Sequence, residues 1–245
     1  MNLKKVFSAV MALALTVTLD PVRINVKAVS VLGNMELSRK IATEGMVLLE
    51  NHGSLPIPKG QSVALFGSGQ INFQKGGGGS GNVKVDYVVN LLQGMQNKEK
   101  EGKISVYKPL ADAYSSYIAG GGKGEMTLTD AQINHAAAYA KTAIVTISRY
   151  SSEGSDKTTA KGDYYLSHAE VSILDRVTKA GFEKLVVVLN IGALIDTSWI
   201  ASYPGISVLV AWQPGMEDGN AAADVLCGVV NPSGKLVDTL QKTIG

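Results

Sequence analysis

Residues 143–157, AIVTISRYSSEGSDK, join an apolar run to a polar loop that contains a glycine. The run at 143–147 is short and rich in β-branched residues, which is typical of a buried strand. The loop therefore begins at the carboxyl end of a strand, where open α/β sheets bind their ligands. Arg149, Glu153 and Asp156 lie in this stretch. An acid next to small residues and close to an arginine suits either acid/base chemistry or sugar binding.

Segments typical of strands and of helices alternate on both sides of this loop. Further strands are predicted at residues 62–66, 104–107, 185–189 and 206–210. Helices are predicted at residues 35–49, 85–95, 167–180, 193–202 and 217–227, and from residue 129 onward. This alternation indicates an α/β fold: a mainly parallel sheet of about five to six strands with helices on both faces, which is a three-layer sandwich.

The composition excludes several classes of function. The formal net charge is only +2, so the chain shows no electrostatic footprint for nucleic acid. A single cysteine, Cys227, rules out both a disulfide framework and a cysteine-based metal site. The histidines at 52, 135 and 168 are too far apart to have metal-ligand spacing. We therefore expect no metal and no cofactor.

The first 28 residues have a character of their own. Lys4 and Lys5 precede an apolar stretch at 6–19, the pattern of a basic n-region and an h-region in a secretory signal. Cleavage after Ala28 would leave residues 29–245 as the sandwich domain, and it predicts a secreted or cell-envelope protein. The apolar stretch is too short for a membrane span. The alternative is a packed N-terminal helix.

Two glycine-bearing segments follow the strand at 62–66. Gly67-Ser68-Gly69 resembles the start of a dinucleotide-binding turn, but no G-x-G-x-x-G is completed, because Asn72 occupies the third glycine position. A nucleotide site is therefore disfavoured. Residues 76–81, GGGGSG, permit a close approach of the backbone to a ligand or to another domain. A flexible surface loop explains this segment equally well.

Short motifs are spread along the chain from residue 36 to residue 239. They comprise Arg39 with 42–45 and 47–51, then Arg149, 152–154, Asp156, 161–163 and Leu166, then 186–192 with 196–200, 211–217, 219–226 and 231–236. Together, and in this order, they resemble the C-terminal α/β-sandwich domain of glycoside hydrolase family 3. The resemblance implies that Glu153 is the general acid/base of a retaining β-glycosidase, β-glucosidase-like, that hydrolyses O-glycosidic bonds. It also implies that Arg149 and Asp156 bind substrate.

Three positions depart from the family's pattern. Ser152 and Asp218 stand where many relatives have glycine, and Lys157 stands where arginine is usual. A lysine cannot reproduce the bidentate contact of a guanidinium group. These departures concern the fine positioning of the loop rather than the fold.

The resemblance implies only half of an active site. Glycoside hydrolysis needs two carboxyl groups, one on each side of the scissile bond. The family's nucleophile is an aspartate in a (β/α)8 barrel, and this chain has no room for a barrel of about 250 residues. Because the export-like segment leads directly into the sandwich, the order resembles that of permuted members. We expect the barrel downstream in the same chain or in a separate chain.

Three hypotheses follow. The first is the acid/base-bearing part of an exported β-glycosidase, whose partner is a β-linked glucoside or oligosaccharide. The second is a non-catalytic carbohydrate-binding or protein-interaction module, which the missing barrel and the changes at Ser152 and Lys157 favour. The third, a nucleotide-binding protein, ranks last. The sequence leaves open whether the chain forms a homo-oligomer.

Overall fold

The computed structural model describes residues 31–239, with side chains from residue 33 onward. The export-like segment at 1–28 lies outside this range, so both the segment and the predicted domain boundary stay predictions. The sheet belongs to a compact unit that begins at Asn34. In the described range, no helix is long and apolar enough to cross a membrane.

A single sheet of six strands forms the centre of the described structure, in the order β1-β6-β5-β4-β2-β3. The strands are β1 (Val47–Glu50), β2 (Gln61–Phe66), β3 (Ile104–Val106), β4 (Thr142–Arg149), β5 (Lys184–Ile191) and β6 (Ser207–Val210). Only the pairing of β1 with β6 is antiparallel within this sheet. The predicted mainly parallel α/β sheet is confirmed.

Helices cover both faces of the sheet. They are α1 (Val31–Gly45), α2 (Leu91–Lys100), α3 (Lys108–Ala119), α4 (Asp130–Tyr139), α5 (His168–Lys179) and α6 (Asp218–Leu226). One apolar cluster includes buried residues of α3, α4 and α5, and the other includes residues of α1, α2 and α6. Strand β4 contributes Val145 to the first cluster and Ile144 to the second, because successive side chains point to opposite faces. The three-layer arrangement follows from this alternation.

The predicted helix at 35–49 is wrong in its last four residues. Helix α1 ends at Gly45, and Val47–Glu50 forms the edge strand β1. Val47 pairs with Val210 of β6 and is buried in the first apolar cluster. The run of adjacent apolar residues at 47–49 fits a helix or a strand equally well, so the partner strand decides its conformation.

Other helix boundaries also differ from the prediction. Helix α2 begins at Leu91 rather than near residue 85, because Asn90 caps it through a reciprocal pair of hydrogen bonds with Gln93. Residues 193–202 form only a short 3-10 turn at Ser198–Ser202. Helix α3 was not predicted, and its Pro109 sits in the first turn, where the missing N–H does no harm.

The order of the strands creates a crevice between β2 and β4. The chain leaves β2 towards β3 at one edge of the sheet, whereas it leaves β4 towards β5 on the other side. The two connections diverge at this point, and it is there that open α/β sheets most often bind ligands. The loop that carries Glu153 also begins at the end of β4, so two regions of interest share this strand end.

Candidate active site

Glu153 lies on the irregular loop that joins β4 to α5, beyond the carboxyl end of β4. This placement was predicted. Next to it, Ser152 forms an isolated parallel bridge with Gly78, and the Gly78 N–H donates to the Ser151 carbonyl at 2.8 Å. The glycine-rich segment at 76–81 therefore packs directly on the Glu153 loop.

This close packing explains the glycines. Gly79 has a φ of +65°, and a Cβ at that position would lie 2.6 Å from both Cβ and Oε2 of Glu153. A Cβ on Gly78 would lie 2.3 Å from the Tyr150 hydroxyl. The glycines do permit a close approach, but the neighbour is the Glu153 loop of the same chain rather than a ligand or another domain.

Ser80 holds the carboxylate of Glu153. Its backbone N–H donates to Oε2 at 2.9 Å, and its hydroxyl donates to the same oxygen at 2.7 Å. Both hydrogen bonds favour the charged form, so the Ser80 amide, and then its hydroxyl, lower the pKa of the exposed Glu153. A general acid needs the opposite shift, because it must hold a proton near neutral pH.

An open cleft of about 430 Å³ lies beside Glu153. Glu153 and Asp156 both line it, together with Gln213 from the segment that follows β6. The Gln213 side-chain amide donates to the carbonyl of Arg149 at 2.7 Å, which fixes this wall of the cleft to the end of β4. The described part of the chain contains no group of three or more His, Cys, Asp or Glu residues that could hold a metal ion.

Lys157 stabilises the loop from within. Its ammonium group donates to the carbonyl of Tyr150 at 2.7 Å and forms an ion pair with Asp163 at 2.9 Å. The hydrogen bond from Lys157, followed by that from the Thr158 N–H, lowers the pKa of Asp163. Lys157 thus has a defined structural role in this chain.

Arg149 is placed differently from the two acids. Its side chain is 6% exposed and forms a two-fold ion pair with Glu170 of α5, at 2.5 and 2.6 Å. It also donates to the carbonyl of Asp163 at 3.0 Å. The structure thus brings Glu153 and Asp156 together in one cleft, whereas Arg149 lines the crevice between β2 and β4. The substrate contact of Arg149 stays a prediction.

Two site residues were not assigned a role from the sequence. Ser80 lies inside a low-complexity glycine run, and nothing in its neighbours signals that it contacts an acid 73 positions away. Gln213 belongs to one of the family-like motifs, yet its position on the cleft wall depends on the pairing of β6 with β5. The motif at 211–217 was the one signal available for it.

Comparison with known proteins gives a consistent result. The glycosyl hydrolase family 3 C-terminal domain matches residues 46–245. Beta-glucosidase A of Butyrivibrio fibrisolvens is 42% identical, over 84% of this chain and 28% of the relative. A beta-glucosidase of Ruminococcus albus is 35% identical, over 86% of this chain and 23% of the relative. The chain thus spans about a quarter of the length of these relatives.

Solved structures also have a similar fold. Beta-glucosidase 3B from Thermotoga neapolitana, in complex with α-D-glucose, superposes with a TM-score of 0.80 at 32% identity, over 87% of this chain and 32% of that one. A beta-glucosidase from Paenibacillus barengoltzii superposes with a TM-score of 0.80 at 39% identity, over 86% of this chain and 24% of that one. The chain therefore belongs to glycosyl hydrolase family 3 and contains the C-terminal domain of that family.

Proposed function

We propose that this chain is the acid/base-bearing part of a retaining β-glycosidase, with Glu153 as the general acid/base. The observation that carries the proposal is the position of Glu153 at the mouth of an open cleft beyond the end of β4. A (β/α)8 barrel, in the same chain or in a separate one, would supply the nucleophile. The substrate is a β-linked glucoside or a similar oligosaccharide, since the relatives in the comparison are named beta-glucosidases.

The two steps of a retaining mechanism make different demands on Glu153. In the first step it must donate a proton to the leaving group, and in the second it must accept one from water. The contacts with Ser80 favour the ionised form, which suits the second step. The first step requires a higher pKa. A barrel that covers the cleft would exclude water and raise the pKa of Glu153 by desolvation.

The neighbouring residues have supporting roles in this proposal. Asp156 lines the cleft beside Glu153, so we assign it to substrate hydroxyls. Direct contact between Arg149 and the substrate would require its guanidinium to leave Glu170. Export by the segment at 1–28, with action outside the cell or in its envelope, completes the proposal.

The test is a complete enzyme made by supplying the barrel, with Glu153→Ala compared to the wild type. General acid/base catalysis contributes about 10²–10⁴-fold, so turnover of a substrate with a poor leaving group should fall by that factor. An activated phenolate needs little protonation, so its glycosylation step should suffer less. Azide should partly restore deglycosylation, because an anionic nucleophile needs no base.

The matched control is Asp156→Ala, a change of the same type in the same cleft. It should weaken substrate binding without any rescue by azide. If Glu153→Ala left turnover of the poor leaving group unchanged, the acid/base assignment would be wrong.

The second candidate is a non-catalytic carbohydrate-binding or protein-interaction module. The observation in its favour is the pair of hydrogen bonds from Ser80 to the exposed Glu153, which favour the charged form and so do not suit a general acid. Hydrolysis of an aryl β-glucoside by the chain alone and with a barrel partner separates the two. We expect no appreciable turnover by the chain alone and turnover that depends on Glu153 with the barrel. No turnover with any competent barrel would favour the module.

A further inference from the structure

The crevice between β2 and β4 contains a cavity of about 270 Å³. Its lining includes Ser68, Asn72, Glu125, Ser148, Arg149 and Glu170. We call it the switch-point crevice, because it lies where the connections from β2 and β4 diverge. Among the described residues, it shares no lining residue with the cleft beside Glu153. The site assigned to Glu153 therefore does not account for it.

Glu125 gives this crevice a fixed hydrogen-bond acceptor. Its Oε2 accepts from the Ser68 N–H at 2.7 Å, and its Oε1 accepts from the Tyr114 hydroxyl at 2.9 Å and from the Met126 N–H at 3.1 Å. A carboxylate has about four lone-pair positions, so three donors leave capacity on Oε2. Three donors also hold the group in a single orientation, which is the condition for a defined contact with a ligand.

Ser68 provides a donor next to this acceptor. Its Oγ accepts from the Met126 N–H at 3.2 Å, and no acceptor for its own proton is found among the described residues. The Ser68 side chain is buried, at 5% exposure. A hydroxyl group of a ligand both donates and accepts, so it could use Glu125 and Ser68 together.

The charges in the wall argue against an anionic ligand. The positive charge of Arg149 is compensated by its two-fold pair with Glu170, and Glu125 is a further acid. The glycine-bearing turn at 67–69 does not help a phosphate either, because only a short 3-10 turn at Ser68–Gln70 follows it rather than an α-helix. The same turn that resembles part of a nucleotide motif therefore forms a crevice suited to neutral hydroxyl groups.

We propose that the switch-point crevice binds a small neutral polyol, between glycerol and a monosaccharide in size, through Glu125 and Ser68. The volume of about 270 Å³ far exceeds the roughly 10–15 Å³ that a single water needs on the same measure, so the cavity has room for a ligand of this size. This volume lies just below the range of about 300–1,000 Å³ that is typical of drug-sized ligands, which favours a smaller one. The site needs no contribution from a barrel, and it is independent of the role proposed for Glu153.

The experiment is a titration of the full chain with glycerol and with glucose, followed residue by residue by two-dimensional NMR. We expect saturable shifts in the millimolar range at the amides of Ser68, of residues 124–126 and of Arg149. Inorganic phosphate serves as the comparison ligand and should bind more weakly at these amides. Tighter binding of phosphate, or polyol shifts confined to residues 151–157, would overturn the proposal.

Two variants sharpen the test. Glu125→Gln keeps the shape of the side chain but removes its charge, and it should weaken polyol binding about tenfold. Asn72→Trp changes an exposed residue at the mouth of the crevice and should block binding without disturbing the core. Glu153→Gln in the neighbouring cleft is the control, and it should leave the affinity of the crevice unchanged. Wild-type affinity in both crevice variants would show that the polyol binds elsewhere.

Discussion

The cleft beside Glu153 and the switch-point crevice share the end of β4, but they shift the pKa of their carboxyl groups in opposite directions. In the open cleft, two hydrogen bonds from Ser80 lower the pKa of the exposed Glu153. In the crevice, burial raises the pKa of Glu125, even though Ser68, Tyr114 and Met126 donate to it. Similar hydrogen bonds thus give opposite results, and the difference lies in solvent exposure. A covering domain would give Glu153 the environment that Glu125 already has.

The largest expected effect concerns Arg149, which connects the two regions. It lines the crevice through its side chain, and its carbonyl binds Gln213 of the cleft wall. Arg149→Ala would leave the largely buried Glu170, at 13% side-chain exposure, without its ion-pair partner and with a hydrogen bond only from the Ser167 N–H. Loss of one partner of a buried ion pair costs about 3–5 kcal/mol, so the free energy of unfolding should fall by that amount in chemical denaturation.

Arg176→Ala is the matched control for this prediction. Arg176 also forms an ion pair with an acid, but its partner Asp130 is 83% exposed. Exposed pairs contribute about 0–1 kcal/mol. Equal losses in the two variants would show that burial does not distinguish the Arg149 pair from a surface pair.

The second prediction concerns the effect of complete burial on the pKa of a carboxyl group, at Asp218. This residue is fully buried, and its Oδ1 has no hydrogen-bond partner among the described residues. Burial raises its pKa well above the usual value for aspartate. Above the ordinary aspartate pKa of about 3.9, the unfolded chain releases a proton that the folded chain keeps. The folded state therefore loses stability as the pH rises, until the folded-state pKa is passed.

Asp218→Asn removes this dependence. The stability of the variant relative to the wild type should increase by about 1.4 kcal/mol for each pH unit within that window. Unfolding curves at successive pH values from about 4 upward measure the difference, and the remaining titrating groups cancel because they are common to both proteins. A difference that stays constant across this range would contradict the raised pKa.

The fold was predictable where local patterns are unambiguous. Strands β4, β5 and β6 are β-branched apolar runs, and their positions and parallel pairing agree with the prediction. Strand β1 was missed, because the apolar run at 47–49 carries no pattern that separates a strand from the end of a helix. Only its antiparallel pairing with β6, about 160 positions later, decides the matter.

The candidate site likewise has one part that the sequence predicts and one part that it does not. The position of Glu153 beyond a strand end follows from the change at residue 148 from an apolar to a polar sequence. The partners of the charged groups do not follow from local sequence: Glu170 lies 21 positions from Arg149, and Ser80 lies 73 positions from Glu153. Such pairs form only after the sheet has brought the loops together, so a single sequence cannot reveal them.

The third prediction tests the contact between the glycine-rich segment and Glu153. Gly79→Ala forces an L-residue into a left-handed conformation and places its Cβ against the Glu153 side chain. The backbone cost alone is roughly 1–2 kcal/mol. Gly81→Ala is the control, because no atom lies within 4 Å of a Cβ at that position, and its effect should stay within about 0.5 kcal/mol. Chemical denaturation measures both, and equal losses would contradict the close approach.

The smallest expected effect lies in the hydrogen bonds of Ser80. Ser80→Ala removes the hydroxyl donor at 2.7 Å but keeps the backbone N–H, which has the larger influence on the pKa of Glu153. The pKa of Glu153 should therefore rise but stay below that of an ordinary glutamate. A titration followed by the chemical shift of the carboxyl carbon measures this change in the isolated chain.

Ser155→Ala is the matched control, because it changes another exposed serine of the same loop that also lines the cleft. It should leave the pKa of Glu153 unchanged. An equal rise in both variants would mean that the general environment of the loop, rather than Ser80, lowers the pKa.

Addition of the barrel should raise the pKa of Glu153 in the wild type and in Ser80→Ala alike, since desolvation acts whether or not the hydroxyl is present. If the barrel raised the pKa of Glu153 in the wild type but not in Ser80→Ala, the glycine-rich segment, rather than the covering domain, would determine the protonation state of Glu153.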